Sequence, residues 1–356
     1  MNGENKQKVI VGMSGGVDSS VAAFLLKEKG YEVIGMTMRT WENACEKMTD
    51  DENQAVNDAA RVAEKLGIPH YVVDFRKEFE DRVIKYFVSE YKSGRTPNPC
   101  IVCNRYVKWE ALLKYAESLG ANLIATGHYA LIDKYPKTGR YTVRNAVTAE
   151  KDQTYALCRL TQRQLKSTLM PVGEYTKDQV RKIAEEIDME ISSKPDSQDI
   201  CFIPDGNYAS FIKEYDGTEF KPGDFVDMDG HIIGKHKGII NYTVGQRKGL
   251  GISAGKHVYV HHIDRENNRV VICGNDELFS REVKADNINF MAIDGISGEL
   301  RAEAKIRYAH KKAPCTVRME NGIIKCVFDE PQRAATSGQS LVVYDGEYVL
   351  CGGTII

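Results

Sequence analysis

The sequence lacks a strong excess of charge of either sign. Its 356 residues carry 48 lysines and arginines against 50 aspartates and glutamates, which gives a formal net charge of −2. Bulk charge therefore predicts neither nucleic-acid nor membrane binding. Any polyanionic partner would have to be met by local basic patches.

Long apolar runs and a cysteine framework are also missing. No segment approaches the roughly 20 apolar residues of a membrane helix, and residues 1–8 are polar rather than signal-like. We therefore expect a cytoplasmic protein with no membrane partner. The nine cysteines are an odd number without framework spacing. In a reducing compartment this favours structural thiols, metal ligands or catalytic groups over permanent disulfides.

The first half of the chain alternates strand and helix patterns. Strands separated by helix-length segments are typical of an α/β fold with a parallel sheet, in which ligands bind at the carboxyl ends of the strands. The expected strands are 8–13, 32–38, 70–74 and 122–128, and the expected helices are 19–29, 53–66, 77–91 and 108–118.

From about residue 205 the pattern changes to short β-type runs between Gly, Asp and Asn turns. This predicts two small mainly-β domains, of which the C-terminal one is a β-barrel. The predicted division is residues 1–206 for the nucleotide-binding domain with both candidate reactive cysteines, 207–280 for a central β-rich domain and 281–356 for the barrel.

Residues 12–20 read Gly-Met-Ser-Gly-Gly-Val-Asp-Ser-Ser, between an expected strand and an expected helix. Glycines allow the backbone to approach a phosphate, and the amides at a helix start can face the anion. The alternative is a glycine-rich helix start without a ligand. The loop lacks the Gly-Lys-Ser/Thr ending of Walker NTPases and the G-x-G-x-x-G of dinucleotide sites. Asp18 is unusual beside a phosphate unless it binds the Mg²⁺ that accompanies ATP.

The Ser-Gly-Gly-x-Asp-Ser part of this loop resembles the signature of the PP-loop ATP pyrophosphatases. The resemblance implies an enzyme that cleaves ATP between the α and β phosphates, adenylates a carbonyl-type oxygen and releases pyrophosphate. By itself, the motif leaves amide, ureido and thio-group products open.

Two cysteines stand out from the rest. Cys103 follows the proline-stiffened Thr96-Pro-Asn-Pro99, and Cys201 follows the polar segment 193–200. Turns rich in Pro, Asp and Asn are places where a thiolate can be exposed and tuned. The ordinary interpretation of a lone cysteine is a small buried apolar residue. We apply it to the cysteines at positions 45, 158, 273, 315, 326 and 351.

Several ordered motifs together resemble the bacterial tRNA-specific 2-thiouridylase family, along nearly the whole chain. Besides the loop at 12–20 they are Met38–Trp41, Thr96–Pro99, Cys103-Asn104, Ala125–Tyr129, Lys151–Thr154, Asp196–Phe202, Gly245–Arg247, Arg307-Tyr308 and Gly338-Gln339.

The resemblance implies a reaction on the wobble uridine, position 34, of tRNAs for Lys, Glu and Gln. ATP would adenylate the uridine 2-oxygen. Cys201 would carry a persulfide that a sulfur-relay protein or cysteine desulfurase supplies, and its terminal sulfur would attack C2 of the base. Cys103 would then act as the nucleophile that frees the sulfur, leaving a transient disulfide between Cys103 and Cys201. The base would have to be unstacked to react.

The resemblance also implies binding residues, and it makes the central domain tRNA-binding. The expected ATP site comprises Gly12, Met13, Ser14, Gly15, Gly16, Val17, Asp18, Ser19, Met38 and Gly127. The expected contacts to the target base and the tRNA are Asn98, Pro99, Cys100, His128, Lys151, Asp152, Gln153, Arg307, Tyr308 and Gln339.

Cys100 departs from the family, in which many members have Asp at this position. A thiol accepts hydrogen bonds less well than a carboxylate. The departure creates Cys100-x-x-Cys103, which with Cys201 could hold an iron–sulfur cluster or a zinc ion. Both the persulfide route and a cluster route stay open. A second departure is Ser337, which replaces the usual Pro before Gly338-Gln339.

Basic residues are grouped at positions 305–312, in the last sixth of the sequence. Lys305 and Arg307 are expected to alternate on one strand face, and His310, Lys311 and Lys312 follow. A solvated surface is the simpler interpretation, and tRNA contact is the one that the resemblance implies. Two other functions compete: another PP-loop ligase, such as an amidating synthetase, and a tRNA-binding protein without catalysis. The first leaves Cys201 without a role, and the second does not need Ser14, Asp18, Cys103 and Cys201 together.

Overall fold

Short β-branched segments form a parallel sheet in the first part of the chain, as expected. The computed structural model describes residues 6–41, 50–187, 200–252 and 255–356. Its strands here are β1 (Lys8–Gly12), β2 (Glu32–Arg39), β3 (His70–Asp74) and β4 (Leu123–Ala125), and a two-residue β7 (Thr168–Leu169) extends the sheet. Within the described residues the order is β3-β2-β1-β4-β7, with parallel pairing throughout. The α/β fold class is confirmed.

Helices cover both faces of this sheet through two apolar clusters, one around Phe79, Phe87 and Trp109 and one around Val21 and Leu26. The helices are α1 (Val17–Glu28), α2 (Asp50–Leu66), α3 (Arg76–Phe79), α4 (Lys85–Lys92), α5 (Pro99–Cys103), α6 (Leu112–Ser118), α7 (Gln162–Lys166), α8 (Lys177–Glu186) and α9 (Tyr208–Asp216).

Two π-helical segments interrupt the expected helices. Glu80–Ile84 joins α3 to α4, and Asn104–Ala111 joins α5 to α6. The expected helix at 108–118 therefore starts earlier, at residue 99, and includes Cys103. π-Helical turns are rare and are frequent at functional sites. The second one follows directly on the Cys100-x-x-Cys103 motif.

The C-terminal part forms a closed six-stranded antiparallel barrel, which confirms that prediction. Its strands are β12 (Phe279–Phe290), β13 (Glu299–Lys305), β14 (Ala313–Glu320), β15 (Ile323–Arg333), β16 (Ser340–Asp345) and β17 (Tyr348–Ile355). They pair in the order β12-β15-β14-β13-β16-β17, and β17 closes on β12. A separate four-stranded sheet orders β8 (Gly223–Val226), β9 (Ile232–His236), β10 (Tyr259–Asp264) and β11 (Arg269–Cys273) as β10-β11-β8-β9.

Sequence patterns did not predict the hairpin of β5 (Leu131–Lys134) and β6 (Tyr141–Arg144), which extends the barrel sheet at β17. It lies inside the first 206 residues and yet packs with the last strand of the chain. The predicted strand over 122–128 was too long, because β4 ends at Ala125 and residues 126–129 form a loop. None of the described helices is long and apolar enough to cross a membrane.

The expected alternation of Lys305 and Arg307 on a strand was wrong. β13 ends at Lys305, and Arg307 lies in the turn that follows. The Arg307 guanidinium instead reaches oxygens of two other segments, at Val244 and Ala334. These bonds hold the side chain in the turn.

Candidate nucleotide and thiol site

The glycine-rich loop connects β1 to α1 at the carboxyl end of the central strand. Met13 is held by a hydrogen bond from its N–H to the carbonyl of Met36 at 2.8 Å. Gly15 has φ +70, and a Cβ there would lie 2.9 Å from the Cα of Ala55. Gly16 is the N-cap of α1, whose first residue is Val17. The N–H groups of a first helical turn have no acceptor within the helix, so this turn suits an anion.

Serine hydroxyls brace the loop. The N–H of Ser14 donates to Ser19 Oγ at 3.2 Å, and the two hydroxyls lie 3.4 Å apart. Ser20 Oγ donates to the carbonyl of Gly16 at 2.9 Å. The loop is therefore held in shape by its own side chains.

Residues 38 and 127, expected at the ATP site, border the loop. A Cβ at Gly12 would lie 3.6 Å from Met38 Cε, an ordinary contact. A Cβ at Gly127 would lie 2.6 Å from the backbone of both Asp18 and Ser19. Only a glycine lets the loop after β4 come this close to the start of α1.

The carboxylate of Asp18 is bound by two other side chains. Lys177 Nζ lies 2.8 and 2.9 Å from its two oxygens, and the hydroxyl of Tyr129 donates to it at 2.7 Å. The Lys177 side chain is only 13% exposed. A divalent ion on Asp18 would compete with this lysine.

Sequence reasoning missed Lys177, although a signal was present. Thr176 and Gln179 form a capping box that starts α8 at Lys177. A cation in the first turn opposes the helix dipole. Its position there is explained by the charge of Asp18.

The structure brings Cys100, Cys103 and Cys201 into one neighbourhood. Asn98 caps α5, Pro99 occupies its first turn, and the helix carries both Cys100 and Cys103. Cys100 and Cys201 are exposed, whereas Cys103 is buried. Each of the other two thiols raises the pKa of Cys103, which shows that their charges interact.

Desolvation of the sulfur atom is the main influence on the pKa of both proposed reactive thiols, including that of the exposed residue Cys201. It raises the pKa of Cys103 to about 12 and also raises the pKa of Cys201. The charge of Lys108 opposes this effect at both thiols. Lys108 comes five residues after Cys103 on the π-helical segment, whose hydrogen bonds link residues five apart. Sequence reasoning did not single out this lysine.

His128 lies between the nucleotide loop and the thiols. Its Nδ1 is 2.9 Å from Thr126 Oγ1, and its ring centroid is 5.2 Å from that of Trp109. Burial, and secondarily the charge of Lys108, lowers the pKa of His128 to about 3. The imidazole is therefore neutral at physiological pH.

A single metal ion is not prearranged on the three cysteines. Among the residues that the structure describes, one group of ligand atoms lies within 4.8 Å of one another, and it consists of Asp227, Asp229 and His231. Asp227 Oδ1 there accepts hydrogen bonds from the N–H groups of Asp229 and His231, so the group is an ordered turn.

The expected tRNA residues divide into two kinds. Tyr308 is 45% exposed, and its pKa is raised by burial and, more weakly, by Asp152 and Cys100, while Lys151 lowers it. Lys151, Asp152 and Cys100 are therefore close enough to Tyr308 for their charges to act on it. Arg307, by contrast, donates to Val244, Ala334 and Thr336. Gln153 and Gln339 likewise hold backbone groups, at Tyr129 and Thr96.

The hydrogen bond of Gln339 is one of two that join the barrel to Thr96, in the segment that precedes Cys100. The N–H of Thr96 donates to the carbonyl of Ser337 at 2.9 Å, and Gln339 Nε2 donates back to the carbonyl of Thr96 at 2.8 Å. Gly338 has φ +91, and a Cβ there would lie 2.9 Å from that carbonyl oxygen. Ser337, in place of the usual Pro, thus stands in a turn that positions Thr96-Pro-Asn-Pro99.

A glycine-rich loop between a strand and a helix of a parallel sheet, together with neighbouring cysteines and a closed barrel, suits an enzyme that binds a nucleotide. Three family models match the chain: the tRNA methyl transferase HUP domain over residues 7–205, the tRNA methyl transferase PRC-barrel domain over 209–274 and the aminomethyltransferase beta-barrel domain over 280–355. The division at residues 206 and 280 stays a prediction about folding units.

The chain is similar over its whole length to proteins named tRNA-specific 2-thiouridylase MnmA. It is 54% identical to that of Lachnoclostridium phytofermentans, over 98% of this chain and 99% of the relative. The relatives from Clostridioides difficile and Acetivibrio thermocellus are 51% and 54% identical, over 98% and 99% of the chain and 98% and 99% of their own length. The chain belongs to the tRNA-specific 2-thiouridylase family. It is an enzyme of the sulfurtransferase class.

Proposed function

We propose that this enzyme uses ATP to adenylate the 2-oxygen of the wobble uridine in tRNAs for Lys, Glu and Gln and replaces that oxygen with sulfur. The products are 2-thiouridine, AMP and pyrophosphate. The sulfur reaches the enzyme in the cytoplasm from a relay protein or a cysteine desulfurase.

One observation carries the proposal: the loop Thr126–Tyr129 touches both halves of the site. Gly127 lies against the start of α1, and Tyr129 donates to Asp18. Between them, His128 packs on Trp109 of the π-helical segment that follows Cys103. A base held near His128 would therefore have the ATP phosphates on one side and the thiols on the other.

The residues present suit ATP. The braced loop at 13–16 and the first turn of α1 would hold the phosphates, and Asp18 would hold the accompanying Mg²⁺. Lys177 would then leave Asp18 for a phosphate oxygen, because the metal takes over the charge of the carboxylate. In this position Lys177 would stabilise the negative charge on the departing pyrophosphate.

The two cysteines then complete the exchange. The uridine 2-oxygen attacks the α-phosphorus, and pyrophosphate leaves. The terminal sulfur of a persulfide on Cys201 attacks C2, and AMP leaves with the oxygen. The Cys103 thiolate attacks Cys201 Sγ, which breaks the bond to the transferred sulfur and forms a Cys103–Cys201 disulfide. The two thiols supply the two electrons, and a cellular thiol reductant restores them.

The difference in exposure between the two thiols fits this division of roles. Cys201 is exposed and can receive sulfur from another protein, whereas Cys103 is buried and is protected from other reactions until Cys201 is loaded. The exposed Cys100 occupies the position next to the proposed base site. It donates or accepts only weak hydrogen bonds there.

Single substitutions separate the two half-reactions. We expect Cys201→Ser to abolish 2-thiouridine formation, measured by mass spectrometry of tRNA, while tRNA-dependent exchange of pyrophosphate into ATP is retained. Cys273→Ala, which removes a thiol of the central sheet, is the matched control and should keep both activities. Normal 2-thiouridine in tRNA from cells that lack the enzyme would overturn the proposal.

A second candidate is an iron–sulfur cluster on Cys100, Cys103 and Cys201, which their shared neighbourhood favours. It would carry the sulfur in place of the persulfide. Cys100→Ser distinguishes the two. The persulfide route predicts retained thiolation and no iron in anaerobically purified protein, and the cluster route predicts iron in the unmodified enzyme that the substitution removes together with the activity.

A further inference from the structure

A pocket of about 290 Å³ lies between the barrel and the helical segment that follows Cys103, and no cysteine lines it. We call it the arginine pocket, and its lining residues are Arg105, Tyr106, Arg159, Asn287, Ile288 and Asn289. Two cations, two amides and a phenol ring line it, and the lining contains no acidic residue.

Both guanidinium groups have hydrogen-bonding capacity left inside the protein. Arg105 donates through Nη1 to the carbonyl of Arg159 at 2.5 Å, and Arg159 donates through Nη2 to Thr354 Oγ1. Their Nε atoms are buried and have no hydrogen-bond partner among the described residues. The remaining terminal nitrogens, Nη2 of Arg105 and Nη1 of Arg159, form no hydrogen bond among the described residues and are free to donate to a ligand.

The surroundings hold these arginines in place and add positive charge. The Tyr106 ring lies between Arg105 and Arg82, at 5.6 and 5.2 Å from their guanidinium carbons. Asn289 Nδ2 donates to the carbonyls of Cys158 and Leu160 at 3.0 Å, which fixes the wall beside Arg159. The pocket is thus a built site with directed donors.

The structure points to a phosphate group of the tRNA backbone as the occupant, and we propose the arginine pocket as a second, sequence-independent RNA contact. This inference rests on the proposed tRNA substrate. Guanidinium donors suit the tetrahedral oxygens of a phosphate, and the volume leaves room for the attached sugar.

The position of the pocket fits a contact that orients rather than reads the RNA. Arg105 follows Cys103 by two residues, so it projects from the opposite side of the helix. The phosphate would therefore belong to a nucleotide outside the flipped base. Backbone contacts of this kind fix register and carry no sequence information.

The test is tRNA binding by the full chain, measured by filter retention from about 50 to about 200 mM KCl. We expect the double variant Arg105→Gln/Arg159→Gln to bind roughly tenfold more weakly at the lower salt concentration. The slope of log affinity against log salt should fall by about 1. Arg105→Lys should keep most of the slope, because the charge remains.

Lys114→Gln is the matched control, since it removes one exposed positive charge from α6 and should change the affinity less than about twofold. Thermal melting of each variant checks the fold. Unchanged affinity and slope in a folded double variant would overturn the pocket as an RNA site. Normal tRNA binding with impaired sulfur delivery from the donor would overturn it in favour of a protein partner. A wild-type chain without tRNA affinity would overturn the proposed function as well.

Discussion

The nucleotide loop and the thiol site lie at one edge of the sheet, yet they are built differently. Hydrogen bonds among Ser14, Gly16, Ser19 and Ser20, all neighbours in sequence, hold the loop. The thiol site combines a helix that begins at Pro99 with Cys201, roughly a hundred residues later, and a barrel turn positions the preceding Thr96.

Phosphate binding and thiol reactivity are encoded at different levels of structure. Backbone amides bind a phosphate whatever the side chains are, so a local pattern of glycines and serines is sufficient. Thiol reactivity depends on burial and nearby charge, which only tertiary packing sets. Changes to the loop should therefore act through sterics, and changes at the thiols through electrostatics.

The largest effect is expected where the loop tolerates no added atom. Gly127→Ala would force a Cβ within 2.6 Å of the backbone of Asp18 and Ser19, so we expect the rate of tRNA-dependent pyrophosphate exchange to fall about 1000-fold. Gly234→Ala, outside the nucleotide loop, is the matched control, because its Cβ would make only ordinary contacts of 3.7 Å with Phe225 and Ile252. Equal rates for both variants would show that the close approach at Gly127 does not matter.

Substitution of His128, at the junction of the two regions, is tested through the pH dependence of the free energy of unfolding. The folded-state pKa of His128 is about 3, against 6.5 as the ordinary value, so the unfolded chain binds the proton more readily below pH 6.5. The stability from the neutral, buried imidazole is present above that pH and is lost as pH falls towards 3. We expect the wild type to lose about 3 kcal/mol more than His128→Asn between pH 6.5 and pH 4, measured by urea unfolding. Parallel curves would contradict the burial of this ring.

Substitution of Lys177 tests whether the nucleotide loop depends on a residue that is distant in the sequence. We expect Lys177→Gln to slow pyrophosphate exchange roughly 30-fold, because one charge-assisted contact to the phosphates is lost. Lys182→Gln, on the same helix, is the control and should retain the activity. An unchanged rate with Lys177→Gln would mean that the lysine only balances Asp18 in the nucleotide-free enzyme.

Much of the nucleotide site was predictable from the sequence for a physical reason. The order of β1, loop and α1 is a local signal, because Gly15 adopts a φ of +70, which other residues rarely do. Cys103 and Cys201 were singled out by the turns before them, and their reactivity stays a prediction. The burial of Cys103 was not predicted, because it depends on packing in a cluster that also contains the distant Phe202.

Several features that the sequence did not reveal involve partners far apart in the chain. The hairpin β5–β6 has only four residues in each strand, and its partner β17 begins about two hundred residues later. Arg307 forms bonds to Val244 and Ala334 that join two segments, and its contact with tRNA stays a prediction. Local patterns do not show whether an arginine holds the protein or its ligand.

Substitution of Lys108 tests the electrostatic control of the thiol site and has the smallest expected effect. The charge of Lys108 opposes the rise in pKa of both Cys103 and Cys201, and the described residues offer it no ion-pair partner. Lys108→Gln should therefore raise the pKa of the exposed Cys201 and slow its alkylation by iodoacetamide about threefold to tenfold at pH 8, because less thiolate is present. Lys108→Arg should restore the rate. If Lys108→Gln alkylates at the wild-type rate across pH, burial alone sets the reactivity of this thiol, and Lys108 then serves only to contact an anion. Slower alkylation with unchanged pyrophosphate exchange would show instead that the two halves of the site are tuned separately, the loop by backbone shape and the thiols by one charge.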